Sequence, residues 1–378
     1  MSPSHTETPD RFGLEGALET NPHRRDESGG GDHHDGEAET AGHLALIYDT
    51  RDERLETVVP FLQQGLERGE RCLYVADGDT PEEVRALLRE GGIDVAAALD
   101  AGTLVICTES DTYLQTGEFD PDEMIERSGE IVEEATAEYP GLRVTAEATW
   151  VLDEWTRVGN FMEYESRAND LFRGEDCLVL CQYDRTRFPE SVLADVIRTH
   201  PLVVSDGIVA RNEYYSPPTE FLGTTLPSLD VERTLEEATG HARAQYVLDE
   251  SNPCDETVDA ITDEETFSRV LSAVLRAGYE NDIALERSYV CRNGPPYPDW
   301  DVTIHAVGKP PSETPDTETA PDTLTDEETF RETLNAILRA GYESDLDLAS
   351  DSFACRNEPP YPDWDVTVHT VYDPPTDG

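Results

Sequence analysis

Basic residues are scarce in this sequence: 28 lysines and arginines stand against 82 aspartates and glutamates, which gives a formal charge of −54. No basic stripe is present to displace the counterions of a nucleic acid, so direct nucleic-acid binding is not expected. An uninterrupted apolar run of about 18 residues is also missing, and the N-terminus lacks an apolar signal core. We therefore expect a cytoplasmic protein that does not insert into a membrane.

Cysteines are few as well, and the seven that occur are scattered along the chain. Because their number is odd, a disulfide framework is improbable, and buried reduced thiols are expected.

So many carboxylates would destabilise a compact state in dilute buffer through self-repulsion. At molar salt the Debye length falls to about 3 Å, which largely screens exposed charges. We interpret the acidic composition as an adaptation to a salt-loaded cytoplasm. The alternative is a mostly disordered acidic protein, but the hydrophobic content of 37% and its regular periodicity argue against it.

The stretch from His43 to Asp77 predicts a β-α-β unit. One apolar run ends at Asp49, a helical pattern follows from Leu55 to Arg68, and a second apolar run ends at Asp77. Continuously apolar runs are typical of parallel strands that are covered on both faces. The ligand crevice of such a sheet lies beyond the carboxyl ends of its strands, which here indicates the turn from Asp49 to Arg54.

That turn lacks the residues that grip a phosphate. A P-loop would read Gly-x-x-x-x-Gly-Lys-Ser/Thr, but the sequence is Asp49-Thr-Arg-Asp-Glu-Arg54. Without glycine or lysine, and with three acids where an anion would lie, phosphate binding is disfavoured. We predict a nucleotide-type scaffold without its usual phosphate pocket.

Further strands and helices alternate along the chain as far as Val204, which predicts one three-layer α/β domain with a mostly parallel sheet over residues 42–222. Residues 1–41 are polar and rich in Gly, His, Asp and Glu, and we predict a disordered acidic tail. Residues 223–257 are predicted to be a linker with one helix.

Several separated motifs of this domain closely resemble one family. They are His43-Leu-Ala-Leu-Ile-Tyr48, Gly65-Leu-Glu-Arg-Gly-Glu-Arg-Cys-Leu-Tyr74, Tyr164-Glu-x-x-x-Asn169, Cys181-Gln-Tyr-Asp184 and Thr199-His-Pro201. The family is the MEDS domain, the methanogen/methylotroph DcmR sensory domain. The resemblance implies a RecA/KaiC-like core with decayed Walker motifs that senses small molecules, with hydrocarbon derivatives suggested. Members often carry a DNA-binding or kinase output, and none is visible here.

The C-terminal part contains two copies of a short module, at residues 258–308 and 323–374, joined by a Pro/Thr/Glu tether at 309–322. Each copy predicts a helix and two antiparallel strands, with Gly278 ending the first helix. About fifty residues give a marginal core, so we predict that the copies pack against each other or against a partner. They resemble small modules of unknown function from halophilic archaea, a resemblance that implies no activity.

Candidate ligand-binding side chains lie near the predicted strand ends and on one helix, and they combine aromatic walls with a few polar anchors. Each also has a purely structural interpretation, such as a salt-bridged glutamate or a core histidine. No nucleophile with a base and an orienting group stands out, and we predict no reaction and no cofactor. The candidates are His43, Tyr48, Asp49, Glu147, Trp150, Tyr164, Glu165, Asn169, Gln182 and Tyr183.

The repeats offer one weaker metal candidate. Cys291 and His305 are fourteen residues apart, and so are Cys355 and His369, so paired modules could present two cysteines and two histidines to zinc. Strand alternation argues against this site, because it would turn His305 outward while Cys291 points inward.

The pattern as a whole favours a non-catalytic signal-transduction protein that binds a small molecule or a signalling protein, with homo-oligomerisation also possible. The competing class is an enzyme, a divergent nucleotide-dependent ATPase or kinase-like protein with an unfamiliar phosphate site. A scaffold without a ligand is a third alternative.

Overall fold

The computed structural model describes residues 42–115, 119–153, 155–205, 207–223, 226, 228–251, 258, 261, 263–281, 283–293, 297–307, 324, 326–344, 346–349, 352–357 and 361–372. The chain divides into two compact units, with the boundary between Leu235 and Glu236. The predicted acidic tail and the predicted tether fall outside the described residues. Among the described helices, none combines the length and apolar character needed to cross a membrane.

The first unit alternates strands and helices, as predicted. Its elements are β1 (His43–Tyr48), α1 (Arg51–Glu67), β2 (Arg71–Ala76), α2 (Pro81–Glu90), α3 (Val95–Ala101), β3 (Leu104–Thr108), α4 (Pro121–Glu138), β4 (Leu142–Glu147), α5 (Trp155–Phe172), β5 (Cys177–Asp184), α6 (Glu190–Thr199), β6 (Leu202–Ser205), β7 (Ile208–Arg211) and α7 (Pro218–Phe221).

Seven strands form one sheet in the order β3-β2-β4-β5-β1-β6-β7. All neighbours are parallel except β6 and β7, which form an antiparallel hairpin at one edge. The predicted α/β class with a mostly parallel sheet is confirmed. The sequence analysis did not predict β7. Strand β4 ends at Glu147, and a 3-10 turn follows it.

Helices cover both faces of this sheet, which explains the continuously apolar strands. On one face, Leu44 and Tyr74 share a core cluster with Phe61 of α1 and Val84 of α2. On the other face, strand residues pack beneath α4 and α5. The chain leaves β2 toward β3 and leaves β4 toward β5, in opposite directions, so one crevice of the sheet lies between the carboxyl ends of β2 and β4.

Helix α8 (Val231–Ser251) crosses the boundary, and the rest of the second unit consists of α9 (Glu264–Glu280), β8 (Ser288–Cys291), β9 (Asp299–Val307), α10 (Glu327–Glu343), β10 (Ser352–Cys355) and β11 (Asp363–Tyr372). The strands form one antiparallel sheet in the order β10-β11-β9-β8. Each sequence repeat therefore contributes one helix and one hairpin, as predicted.

The two copies are related by a local twofold arrangement. Strand β9 of the first copy pairs with β11 of the second, and the equivalent residues Thr303 and Thr367 lie opposite each other. The helices are exchanged across this axis: Phe267 of α9 lies against Phe353 of β10, with ring centroids 4.6 Å apart, and Phe330 of α10 lies 5.1 Å from Tyr289 of β8. Each helix thus covers the other copy's hairpin, so neither copy completes a core alone.

Gly278 does not end its helix, contrary to the sequence analysis, because α9 continues to Glu280. The glycine instead makes room for the other copy. A Cβ atom at Gly278 would lie 2.8 Å from the ring of Phe330, and one at Gly341 would lie 2.9 Å from the ring of Phe267. Such distances are shorter than any ordinary contact, so the exchanged packing requires glycine at both positions.

We expect Gly278→Ala and Gly341→Ala each to destabilise the second unit by about 1–3 kcal/mol, because the added methyl group overpacks the core. Alanine normally stabilises a helix interior by about 0.5–1 kcal/mol relative to glycine. Scanning calorimetry in molar KCl measures the change in unfolding free energy of each variant.

Gly159→Ala in α5 is the control, because a Cβ atom there meets nothing within 4 Å and should stabilise its own unit. In a Phe330→Leu background, Gly278→Ala should destabilise the unit less than it does in the unsubstituted protein, because the ring that the added methyl group meets is gone. A stabilising effect of Gly278→Ala would contradict the exchanged packing.

Candidate functional site

Glu147 is the centre of a buried polar network at the crevice between β2 and β4. It ends β4, and its side chain is buried. Tyr74 of β2 donates a hydrogen bond to its Oε1 at 2.6 Å. The neighbouring carboxylate oxygen, Oε2, accepts from three successive backbone N–H groups after β2, those of Asp77, Gly78 and Asp79, at 3.1, 2.5 and 3.3 Å. Three converging N–H groups form an anion-binding concavity, and a carboxylate of the chain itself fills it.

Arg54 neutralises this buried carboxylate. Its Nη1 lies 3.2 Å from Glu147 Oε1, its Nη2 pairs with Asp79, and its guanidinium lies over the ring of Tyr48, 5.9 Å from the centroid. Burial, followed by the Glu147 carboxylate, raises the pKa of the Tyr74 phenol well above its usual range. Tyr74 therefore stays protonated and continues to donate to Glu147.

At the N-terminus of α1, a carboxylate of the chain likewise occupies the backbone N–H groups. Thr50 caps α1 by accepting from the N–H of Glu53 at 3.2 Å, and the Glu53 carboxylate accepts from the N–H groups of Asp49 and Thr50 at 2.9 and 3.3 Å. In a P-loop protein these N–H groups would face a phosphate. Here a side chain of α1 satisfies them.

A second buried cluster joins β1, α5, β5 and the residue after α6. It consists of His43, Glu165, Cys181 and His200, which are 1%, 0%, 3% and 0% exposed. The Nε2 atoms of both histidines lie 3.0 Å from Glu165 Oε2. Cys181 Sγ lies 3.5 Å from His43 Nε2 and 3.6 Å from Glu165 Oε2.

The outer nitrogen of each imidazole in this cluster faces an oxygen that can only accept a hydrogen bond. Asn169 donates its amide N–H groups to three backbone carbonyls, which leaves its Oδ1 as the acceptor for His43 Nδ1 at 3.2 Å. His200 Nδ1 lies 2.8 Å from the carbonyl oxygen of Val196. In both histidines Nδ1 therefore carries a proton, and Nε2 points into the cluster.

The charges of the cluster follow from burial and its own members. Burial opposes ionisation of Glu165, and its pKa is lowered to the extent that His200 and His43 donate hydrogen bonds to it from a protonated Nε2. Burial, and then the neighbouring His43, lowers the pKa of His200. Burial, and then Glu165, raises the pKa of the Cys181 thiol well above its usual range. Burial thus favours a neutral His200 and a protonated Cys181 thiol when no ion is bound.

An apolar cavity of about 40 Å³ lies between the sheet and helices α4 and α5. Its polar atoms include the Ser128 and Tyr164 hydroxyls, which are hydrogen-bonded at 3.0 Å. Tyr113 lines the cavity and also stacks on Trp150, with ring centroids 5.1 Å apart. The remaining lining residues are Leu73, Val75, Thr112, Met124, Ile131, Val132, Leu142, Val144, Phe172, Cys177 and Val179.

Most of the candidates chosen from the sequence lie in the Glu147 network, in the buried cluster or beside the apolar cavity. His43, Glu165 and Asn169 belong to the buried cluster, and Tyr183 contacts it through His200, with ring centroids 5.7 Å apart. Tyr164 lines the cavity, whereas Trp150 does not line it but stacks on Tyr113, which does. Tyr48 and Glu147 belong to the carboxylate network, Gln182 donates to Thr145 at 2.8 Å, and Asp49 is exposed near Arg185.

Sequence reasoning left three important side chains out. In the sequence, Arg54 is one of several charged residues at the start of α1, and no pattern indicates that it is buried. No sequence pattern distinguishes Cys181 from the other buried thiols, or His200 from an ordinary core histidine. Cys181 and His200 lie next to Glu165 because β5, β1 and β6 are neighbours in the sheet. Pattern analysis does not reveal this strand order.

The repeats do not form the zinc site considered from the sequence. Cys291 and Cys355 are buried on the helix-facing side of the sheet, whereas His305 and His369 are exposed on its opposite side. The strand alternation that argued against the site explains this placement. Among the residues that the structure describes, the His43, Glu165, Cys181 and His200 group is the set with metal-ligand geometry.

Comparison with known proteins connects the first unit to a sensory family. The family described as MEDS, MEthanogen/methylotroph, DcmR Sensory domain, matches residues 42–201. The transcriptional repressor DcmR of Methylorubrum extorquens is 28% identical over 163 residues, which cover 42% of this chain and 57% of the repressor. This similarity supports a MEDS-type domain in the first unit, while the chain spans little more than half the length of that relative.

We expect Glu147→Gln to destabilise the first unit by about 3–5 kcal/mol, because removing one partner of a buried ion pair leaves the other partly uncompensated. The matched control is Glu82→Gln, since Glu82 also pairs with an arginine, Arg85, at 2.8 Å but is 75% exposed. An exposed pair contributes less than about 1 kcal/mol.

Urea unfolding in molar KCl measures both changes. Equal effects of the two substitutions would show that the Glu147 network does not hold the crevice closed.

Proposed function

We propose that this protein is a sensory, signal-transducing protein whose first unit binds a small apolar molecule without catalysing a reaction. The observation that carries the proposal is the apolar cavity beneath α4 and α5. Leu73 and Val144 lie in the middle of their strands and remain partly exposed, so the floor of the cavity is accessible from solvent. A pocket with apolar walls and few polar groups is the usual composition of a small-molecule site.

The dimensions of the cavity limit the ligand. A water molecule needs about 10–15 Å³ of such volume, so about 40 Å³ accommodates a molecule of only a few heavy atoms. The hydroxyl pair of Ser128 and Tyr164 offers one hydrogen-bonding anchor. We therefore propose a short alcohol, ketone or halogenated hydrocarbon as the ligand class.

The non-catalytic part of the proposal is supported by the two positions where a nucleotide phosphate would be expected. Glu53 satisfies the N–H groups at the start of α1, and Glu147 satisfies those after β2. A phosphate would have to displace a carboxylate from each, and it would meet the acidic side chains around them.

A regulatory role is supported by the similarity to the family of sensory domains and to a protein named as a transcriptional repressor. The charge of −54 disfavours DNA as the direct partner of this chain. We propose that the signal passes to a protein partner, and that the repeat unit or self-association of the chain contributes to this contact.

We expect members of the proposed ligand class to raise the melting temperature of the first unit in molar KCl, because a ligand that binds only the folded state stabilises it by about 2.7 kcal/mol at 100 times its Kd. Ser128→Leu fills the cavity and removes the partner of Tyr164, so it should abolish the shift. Calorimetry with a panel of such compounds measures it.

Thr136→Leu is the control, since Thr136 lies on the same helix, outside the cavity lining, and bonds its own turn through Val132 O at 2.8 Å. Its ligand response should equal that of the unsubstituted protein. Turnover of ATP by the purified protein, abolished by Arg54→Ala, would replace this proposal with the enzymatic alternative.

A further inference from the structure

We propose that His43, Glu165, Cys181 and His200 form a buried site for one divalent metal ion of the zinc class. This site is separate from the proposed apolar cavity, and it does not depend on the sensory function. The argument rests on the distances between four donor atoms, on the orientation of the imidazoles, and on an unsatisfied nitrogen.

Four of the six separations between the donor atoms are close to those around a tetrahedral ion. Zinc bonds of about 2.0–2.3 Å at tetrahedral angles separate two ligand atoms by about 3.3–3.6 Å. The observed separations are 3.0 Å from Glu165 Oε2 to each histidine Nε2, and 3.5 and 3.6 Å from Cys181 Sγ to His43 Nε2 and Glu165 Oε2. All four ligand atoms lie within 4.8 Å of one another.

The histidines are oriented as metal ligands normally are. A ligating imidazole donates its second N–H to a carbonyl or another acceptor, which fixes the tautomer and directs the free lone pair at the metal. His43 Nδ1 has Asn169 Oδ1 as its acceptor, and His200 Nδ1 has the Val196 carbonyl. Both Nε2 atoms then face the Glu165 carboxylate, 3.0 Å away.

Without a cation this arrangement leaves a nitrogen unsatisfied. His200 is fully buried, and its Nε2 makes no hydrogen bond of acceptable geometry despite lying 3.0 Å from Glu165. A lone pair at that distance from a carboxylate oxygen is repelled by it. A divalent ion between them turns this repulsion into two bonds and also balances the buried negative charge.

The composition of the set indicates which metal it suits. Two imidazoles, one thiolate and one carboxylate match the nitrogen, sulfur and oxygen ligands of zinc. All four positions come from the protein and the cluster is buried, so no position remains open for a substrate water. Such a closed site is of the structural kind, and it would join β1, α5, β5 and the end of α6.

Binding must displace the proton of the Cys181 thiol, because the thiolate is the ligand form. The ion forms a bond to sulfur, the S–H bond breaks, and the proton leaves to solvent.

The test uses the full-length protein, purified without added metal and dialysed in molar KCl. We expect one zinc ion per chain by elemental analysis. After unfolding with chelator and refolding with Co²⁺, we expect the intense visible bands of tetrahedral cobalt and a thiolate-to-cobalt charge-transfer band in the near ultraviolet. Cys181→Ser should remove the charge-transfer band and weaken cobalt binding at least tenfold.

Cys72→Ser is the matched control, since Cys72 is also fully buried in the sheet but its Sγ lies against the Leu62 carbonyl, 3.7 Å away. Replacing the tail histidines His5, His23, His33 and His34 by Asn controls for adventitious binding outside the cluster. Both controls should retain one tetrahedral cobalt ion.

Refolded protein that binds neither zinc nor cobalt would overturn the proposal, and this result needs no variant. A charge-transfer band that persists in Cys181→Ser, or one lost with the tail histidines, would also overturn it. If Cys181→Ser does not fold, Glu165→Gln provides the second variant: it keeps the thiolate band but must weaken cobalt binding to support the site.

Discussion

Burial of charge is the constraint on which the first unit depends. A carboxylate removed from water must be neutralised and hydrogen-bonded, because an uncompensated buried charge would cost several kcal/mol. Glu147 meets this requirement with Arg54, Tyr74 and three backbone N–H groups. The same contacts fasten the loop after β2 to the end of β4, so the network that makes the charge tolerable also closes the crevice where an α/β sheet would ordinarily receive an anion.

The repeat unit solves a different problem, that of a module too small to bury its own apolar surface. Pairing β9 with β11 merges two hairpins into one sheet, and exchanging the helices places Phe267 and Phe330 each against an aromatic ring of the other copy. Trp300 and Trp364 become almost fully buried as a result. In this arrangement the outward side of the sheet displays His305 opposite Asp365 and His369 opposite Asp301, which keeps it polar and acidic.

Pattern analysis predicted most elements of the first unit because both faces of its sheet are covered, so its strands are continuous apolar runs and its helices amphipathic. It failed where contacts between residues distant in sequence determine the role of a side chain. Gly278 has the local character of a helix terminator, but its role is set by a phenylalanine from the other repeat. Likewise, Glu165 and Asn169 could be predicted to share a helix face, whereas their union with Cys181 and His200 requires the strand order, which no local pattern contains.

Helix α5 links the proposed cavity to the buried cluster. Tyr164 lines the cavity and bonds Ser128 of α4, while the next residue, Glu165, contacts both histidines. Burial and then Glu165 raise the pKa of the Tyr164 phenol, so the two side chains interact electrostatically through the helix that carries them. A ligand that displaced Tyr164 would therefore move or polarise Glu165, and a metal held by Glu165 would in turn limit how far α5 can move. Coupling of this kind is reciprocal, so occupancy of either site should change affinity at the other by the same factor.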